Sequence, residues 1–380
     1  MKLNILYIRP LREIIEALAC DSIRITYINK TSYFEQKELE NNIEKIEYIR
    51  ANLENNFLIS NFSLLWVLCS KLKNEKIDVI LVNAIRDLPA ILLYKIKFCR
   101  SRRPLIFVFS HSSFTFKNKF KSKLSLYLIR KYSDGFIALS KAQADHIKSK
   151  WIDNICVIPN TTSTSLLYGG KKEPYYKDLK GDDLIKIVYV AHIQKTKSQH
   201  IAIEAIKLLK EEYKVKNVCL KLIGGVLDNK YKKYLDEYIM KNGLTENIIF
   251  TGKLNHQSVI NIVKKSDIVI FTSTLEVLPR AIIEAMALGR PIIATEIDGV
   301  VDLIKNYETG ILVHPNDCFQ LAKEIYNLIM DKKLRREISI KANEYIKEYC
   351  SHERIRSLLF KFYIETYRKK ENNYDHNRYS

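Results

Sequence analysis

From Asp267 to Gly299 the chain reads DIVIFTSTLEVLPRAIIEAMALGRPIIATEIDG. The apolar, β-branched run Ile268–Thr272 has the pattern of a buried strand. A polar turn carrying Glu276 follows, and Pro279 stands where a helix would begin. Proline is favoured at the first helical position and glycine just past the last, so Pro279 and Gly289 predict a helix from Pro279 to Leu288. A second strand is expected at Pro291–Ala294. The backbone amides that open this helix, from Arg280 onward, point back toward the strand ends and form a ready site for an anion such as a diphosphate. Only Arg280 and Glu284 are charged within the helix, and a helix apolar nearly all round is buried. Glu284 therefore needs a reason to be there. It pairs with Arg280 at i, i+4, or its carboxylate accepts hydroxyl hydrogen bonds from a ligand over the helix start. Spacing leaves both open.

Outward from this stretch, strand-like and helix-like segments alternate in two series. The first has strands at Leu3–Ile8, Ile23–Ile28, Ile77–Val82, Leu105–Phe109, Phe136–Leu139 and Ile155–Ile158, with helical spacing in Asn61–Lys73, Leu88–Lys97 and Lys119–Lys131. The second has strands at Ile185–Val190, Val218–Ile223, Ile248–Thr251, Ile268–Thr272 and Pro291–Ala294. Asn255 is placed to cap a helix bearing Val259, Ile262 and Val263 on one face. Such alternation predicts an α/β protein of two doubly wound domains with parallel sheets, binding ligand outside the carboxyl ends of the strands. The expected division is an N-terminal domain over 1–168, a Thr-, Ser-, Gly- and Pro-containing linker over 169–183, a second domain over 184–350 and a helix with a polar tail over 351–380.

The chain's 380 residues suit two such domains, and 47% hydrophobic with 28% charged residues excludes a disordered or collagen-like chain. Apolar runs such as Leu64 to Cys69 are too short to span a bilayer. The opening strand shows no cleavable signal pattern, and the seven scattered cysteines read as free thiols, so a cytoplasmic location is expected. There are 62 basic and 43 acidic residues, and the net charge of +19 implies a polyanionic partner. Eleven basic and no acidic residues lie between Lys95 and Lys131, interleaved with Phe114, Phe116, Phe120 and Tyr127. That is either a solvated basic face or a surface for an anionic membrane, with the protein peripheral at its inner face. No recognition motif supports nucleic acid. The chain has no H-E-x-x-H, P-loop or G-x-G-x-x-G, and neither a metal nor a cofactor is expected. A glycosidase needs two carboxylates flanking one bond, and a carboxylate inside a buried helix does not suggest that geometry.

The run EVLPRAIIEAMALGRP, Glu276 to Pro291, resembles the Glu-x7-Glu motif of family-4 retaining glycosyltransferases, including the E-A-M-A-x-G-x-P that completes it. Phe250-Thr-Gly-Lys, Ser266-Asp267 and Thr309-Gly-Ile-Leu-Val are similar to the same donor-domain pattern. The likeness is strong from about Ile248 to Pro315 and moderate from Ile185 to Tyr345. It is weak over the N-terminal domain, where Val157-Ile-Pro-Asn160 is the best local match. The resemblance implies the GT-B fold: two Rossmann-like domains facing a central cleft, with a final helix, about Ser351 to Lys370, crossing back onto the first. It also implies transfer of a sugar from a nucleotide-diphosphate donor, UDP- or GDP-linked, to a hydroxyl of a glycan or lipid-linked acceptor. Transfer would proceed with retention and without metal, in synthesis of a capsule, lipopolysaccharide or related surface polysaccharide.

Carried over by position, Glu284 would bind the donor ribose. Glu276 with the backbone of Val277 and Leu278 would hold the transferred sugar. The helix start at Pro279 and Arg280 would face the phosphates, and Gly252 and Leu254 would lie near the base. Lys197 would offset charge on the departing diphosphate. The family's partner arginine is replaced by His192, and two usual glycines by Ala191 and Ser198. His111 matches a histidine near the sugar hydroxyls of many relatives. The usual glycine-rich first loop is missing; Arg9-Pro-Leu-Arg12 stands there, and Gly135 is the only glycine before residue 169. These departures leave two further readings: a non-catalytic GT-B partner subunit, or a GT-B nucleotide-sugar epimerase.

Overall fold

A computed structural model of the chain describes residues 3–8, 12–18, 20, 23–29, 46–51, 57–72, 75–83, 87–98, 104–109, 127, 129–148, 152–168 and 183–376. The chain divides into two compact units, Met1–Thr161 together with His352–Ser380, and Thr162–Ser351. His111, Arg9 and residues 169–182 of the expected linker lie outside the described residues, as does most of the predicted helix Lys119–Lys131.

The first unit contains the strands β1 (Leu3–Ile8), β2 (Ile23–Asn29), β3 (Ile46–Arg50), β4 (Val79–Val82), β5 (Leu105–Phe109), β6 (Gly135–Ala138) and β7 (Ile155–Val157). They form one sheet in the order β3-β2-β1-β4-β5-β6-β7, and every pair is parallel. Its helices are α1 (Arg12–Leu18), α2 (Phe57–Lys71), α3 (Leu88–Phe98) and α4 (Lys141–Lys148). The central strands read as unbroken apolar runs because helices cover the sheet; all residues of β4, β5 and β6 are buried. Sequence reading placed six strands here and missed β3. Glu47 and Arg50 of that edge strand are exposed, so its apolar run is interrupted.

The second unit begins with the short helix α5 (Thr164–Tyr168). It then alternates β8 (Ile185–Val190), α6 (Gln199–Glu211), β9 (Val218–Ile223), α7 (Asn229–Lys241), β10 (Ile248–Gly252), α8 (His256–Lys264), β11 (Ile268–Phe271), α9 (Arg280–Ala287), β12 (Ile292–Thr295) and β13 (Ile311–Val313), and closes with α10 (Cys318–Met330) and α11 (Lys332–Tyr349). The sheet order is β10-β9-β8-β11-β12-β13, again all parallel. β13, three residues on the sheet edge, was not predicted as a strand. Asn255 caps α8 as its sequence suggested, accepting from Ser258 N at 2.8 Å. Pro279 proves to be the cap of α9 rather than its first residue, with ψ 115°, and Gly289 follows its end at φ 61°. In both sheets the winding reverses beside the first strand of the unit, between β1 and β4 and between β8 and β11. In open α/β sheets the place outside such a reversal is the usual one for a ligand.

The last helix, α12 (His352–His376), belongs to the first unit. Arg356 donates to Ala17 O at 2.9 Å, Asn154 Nδ2 to Thr366 Oγ1 at 2.9 Å, and Lys370 pairs with Asp134 at 2.5 Å. Phe362 packs on Phe107 with ring centroids 4.6 Å apart. A Cβ on Gly135 would lie 2.5 Å from the Phe362 ring, so the lone early glycine is the gap that lets this ring settle on the sheet. Phe362→Ala should cost about 3–5 kcal/mol of stability by removing a buried ring. An unfolding midpoint equal to the parent's would contradict this packing.

Candidate functional site

The loops that follow β8 and β11 are fastened to each other by a buried tyrosine. Tyr189, next to last in β8, is almost wholly inaccessible, and its ring meets Phe271 edge-on at 5.7 Å. Its hydroxyl donates to Lys197 O at 2.5 Å and lies 3.1 Å from Ser273 Oγ. Burial pushes the phenol's pKa well above its usual value, so it stays protonated and able to donate. Thr272 Oγ1 donates to Lys197 O and Ser198 O at 3.1 and 2.9 Å, and Thr274 N donates to Thr196 O at 2.9 Å. Thr295 Oγ1, at the end of β12, holds Ser273 O at 2.5 Å.

These bonds bring Lys197 to Glu276. Its Nζ donates to Glu276 Oε1 at 2.5 Å, with each side chain 17% exposed. Lys197 ends a single 3-10 turn, Lys195–Lys197, and Ser198 then takes a left-handed conformation at φ 48° before α6. A left-handed backbone is what glycine would supply there without steric cost. Ser198 adopts it regardless, because the carbonyls on either side are taken by Thr272. The other glycine replacement is also accommodated: Ala191 carries its carbonyl oxygen 2.2 Å from where a Cβ on Gly224 would stand, so the close approach falls to Gly224.

Beyond Glu276 the loop runs over Gly299. A Cβ there would lie 2.0 Å from Val277 O, and Gly299 has φ 80°, so no other residue permits this approach without displacing the loop. Leu278 is buried and Pro279 gives α9 no capping side chain. Glu284 is 8% exposed on α9. Its Oε1 lies 3.0 Å from His256 Nε2 and, more loosely, 3.7 Å from Arg280. Both contacts fall on one oxygen, and no hydrogen bond from a described residue reaches Oε2. Of the two readings left open by spacing, the contact with Arg280 at i, i+4 is present.

His256 opens α8 directly after its Asn255 cap, and this ties the β10–α8 loop, with Gly252 at φ 70° and half-buried Leu254, to α9. His192 is exposed at the end of β8, with its carbonyl accepting from Gln199 Nε2 at 2.9 Å. Lys197, Glu276, Val277, Leu278, Pro279, Arg280, Glu284, His192, Gly252 and Leu254 therefore share the carboxyl rim of one sheet. Tyr189, His256 and Gly299 were not singled out in the sequence. A run of residues shows no partner 28 positions away, as for His256 and Glu284. Among the described residues no group of three His, Cys, Asp or Glu side chains is placed to hold a metal ion.

The chain matches the family model Glycosyl transferases group 1 over residues 174–345 and that of Glycosyltransferase Family 4 over residues 11–166. It is 27% identical to the uncharacterised glycosyltransferase MJ1069 of Methanocaldococcus jannaschii over 84% of each chain. It is 23% identical, over 80% of each, to the N,N'-diacetylbacillosaminyl-diphospho-undecaprenol alpha-1,3-N-acetylgalactosaminyltransferase of Campylobacter jejuni. Its fold is similar to that of Anabaena Alr3699/HepE, a structure in complex with UDP and glucose. The TM-score is 0.71 at 19% identity, covering 94% of this chain and 98% of that one.

Two substitutions probe the geometry. Tyr189→Phe removes one of the two donors to Lys197 O and the partner of the buried Ser273 hydroxyl, and should cost about 1–3 kcal/mol, read in denaturant unfolding. Gly299→Ala should cost a similar amount, roughly 1–3 kcal/mol, through the left-handed backbone and the clash with Val277 O. A neutral result for either would contradict the loop arrangement described.

Proposed function

The chain belongs to the family-4 glycosyltransferases of GT-B fold, enzymes that transfer sugars, and on that basis we propose that it moves a sugar from a UDP- or GDP-linked donor to a hydroxyl of a glycan or lipid-linked acceptor, with retention and without metal or other cofactor, in cell-surface polysaccharide synthesis. The observation that carries this reading is the meeting of Lys197 with Glu276 at the β8–β11 reversal, beside a buried Glu284 whose described contacts fall on one oxygen. The UDP and glucose held by the Anabaena structure support a nucleotide-sugar donor. The diphospho-undecaprenol in the name of the Campylobacter relative supports a lipid-linked acceptor.

In this reading Glu284 Oε2 accepts from a ribose hydroxyl while His256 and Arg280 hold the carboxylate in place. A carboxylate oriented through its other oxygen pays less entropy on binding the diol. Gly252 and Leu254 lie beside the base. Arg280 and the opening amides of α9 face the diphosphate, where backbone dipoles favour negative charge. Glu276, Val277 and Leu278 hold the sugar, with His111 assigned to its hydroxyls and the first unit to the acceptor. As the bond between the anomeric carbon and the phosphate oxygen breaks, charge collects on that oxygen. Lys197 and His192 offset it. The acceptor oxygen bonds to the same face of the sugar, and its proton passes to the departing phosphate. Lys197 must exchange part of its contact with Glu276 for phosphate, which frees Glu276 to accept from a sugar hydroxyl.

Thermal unfolding against UDP- and GDP-sugars in EDTA tests the donor site, because a ligand that binds only the folded protein raises its stability. One nucleotide class should raise the midpoint. Glu284→Ala should weaken that donor about 10- to 100-fold, the worth of a hydrogen bond to a charged group. Lys197→Ala should leave donor binding largely in place and lower kcat by about 100- to 1000-fold, as loss of preorganised charge at a leaving group does. Unchanged donor affinity in the first variant, or unchanged turnover in the second, would overturn the corresponding role. An inverted anomeric centre in the product would overturn retention.

A further inference from the structure

Two neighbouring helices of the first unit turn apolar side chains to solvent. α2 and α3 lie side by side, with Ala90 N donating to Asn61 Oδ1 at 3.2 Å and Tyr94 OH to Leu72 O at 2.8 Å. Their inner residues, including Leu64, Leu68, Ile91 and Tyr94, are buried in the core. On the outer face Phe62 is 75% and Trp66 60% exposed, one helical turn apart, and Leu93 and Ile96 of α3 are 55% and 71% exposed. Large apolar side chains scattered singly over a surface are ordinary, but four on two helices that lie side by side call for an occupant.

The charge around this face says what it meets. Neither FLISNFSLLWVLCSK nor LPAILLYKIKF contains a carboxylate, and Lys71 and Lys97 are exposed at their carboxyl-terminal ends, whereas Lys95 pairs with Asp134 at 3.4 Å. α11, by contrast, reads KKLRREISIKANEYIKEY, with both signs of charge. The sequence continuing from Lys95 to Lys131 adds basic residues and no acidic ones, and Arg130 and Lys131 are exposed. An aromatic and aliphatic stripe on two carboxylate-free helices, with exposed lysines at its border, has the chemistry that enters the headgroup layer of a negatively charged bilayer. Tryptophan in particular favours that layer, where its ring is apolar and its N–H stays wet. We propose that the α2–α3 face docks the protein on an anionic phospholipid surface, with Phe62, Trp66, Leu93 and Ile96 entering the headgroup region and Lys71 and Lys97 meeting lipid phosphates. Among the described residues no helix is long and apolar enough to cross a membrane, so the attachment is peripheral. The inference goes beyond the donor site and does not depend on it.

The test is flotation of the full chain with phosphatidylcholine vesicles, with and without phosphatidylglycerol. Emission is followed in a Trp151→Phe variant, which leaves Trp66 as the sole reporter since the chain has two tryptophans. The protein should float with phosphatidylglycerol vesicles, less so in high salt, and Trp66 emission should shift to the blue. Phe62→Ser combined with Trp66→Ser should weaken binding at least about tenfold, in line with two aromatic rings withdrawn from the interface. Lys71→Glu with Lys97→Glu should remove the preference for anionic lipid. Both double variants change exposed residues and should keep the parent's unfolding midpoint and its donor-induced shift, so a lost lipid contact is read apart from a lost fold or donor site. Failure to float, vesicle binding unchanged in Phe62→Ser/Trp66→Ser, or an unshifted Trp66 would overturn the proposal. So would self-association without lipid that the same double variant abolishes, because the face would then serve a second copy of the chain.

Discussion

A buried phenol hydroxyl governs the geometry of the site. Tyr189 points along the end of β8 into a place that water does not reach, and its O–H must find an acceptor or cost about 1–3 kcal/mol. The carbonyl of Lys197 and the hydroxyl of Ser273 provide the partners. Satisfying them pulls the loop after β8 onto the loop after β11. The threonines at 272, 274 and 295 then take up other polar groups of the same two loops. Lys197 and Glu276, 79 residues apart in sequence, come within 2.5 Å as a consequence.

The parts of the fold legible in the sequence were those whose signals are local. Pro279 and Gly289 punctuate one helix, and its observed span, Arg280–Ala287, lies within a residue of the predicted ends. The central strands were legible because a strand buried on both faces is apolar throughout. The edge strands were not. Ile46–Arg50 alternates apolar with charged residues, and Ile311–Val313 has only three residues to show a pattern. The site follows the same division. The Glu276 and Glu284 motif was visible as a string, whereas the roles of Tyr189, His256 and Gly299 depend on approaches between distant segments. Gly299 matters because Val277 O lies against it, and nothing near Gly299 in sequence announces that.

Departures from the family pattern have physical answers in the second unit. Ser198 keeps the left-handed backbone that a glycine would give, held by hydrogen bonds on both sides. Ala191 fits because Gly224 leaves room beside its carbonyl. In the first unit, scarcity of glycine does not prevent a doubly wound sheet, and Gly135 stands where Phe362 of α12 presses closest. That unit also bears the carboxylate-free, aromatic face of α2 and α3. The chain thus joins a unit whose sheet rim gathers Lys197, Glu276 and Glu284 to one with exposed aromatic side chains on carboxylate-free helices.

The most direct test of the account is an experimentally determined structure of the protein with the nucleoside diphosphate that stabilises it. The account predicts a ribose hydroxyl within hydrogen-bond distance of Glu284 Oε2, and the diphosphate between Lys197 and the first turn of α9. A nucleotide bound away from the β8–β11 reversal, or one there that touches neither Glu284 nor Lys197, would contradict it.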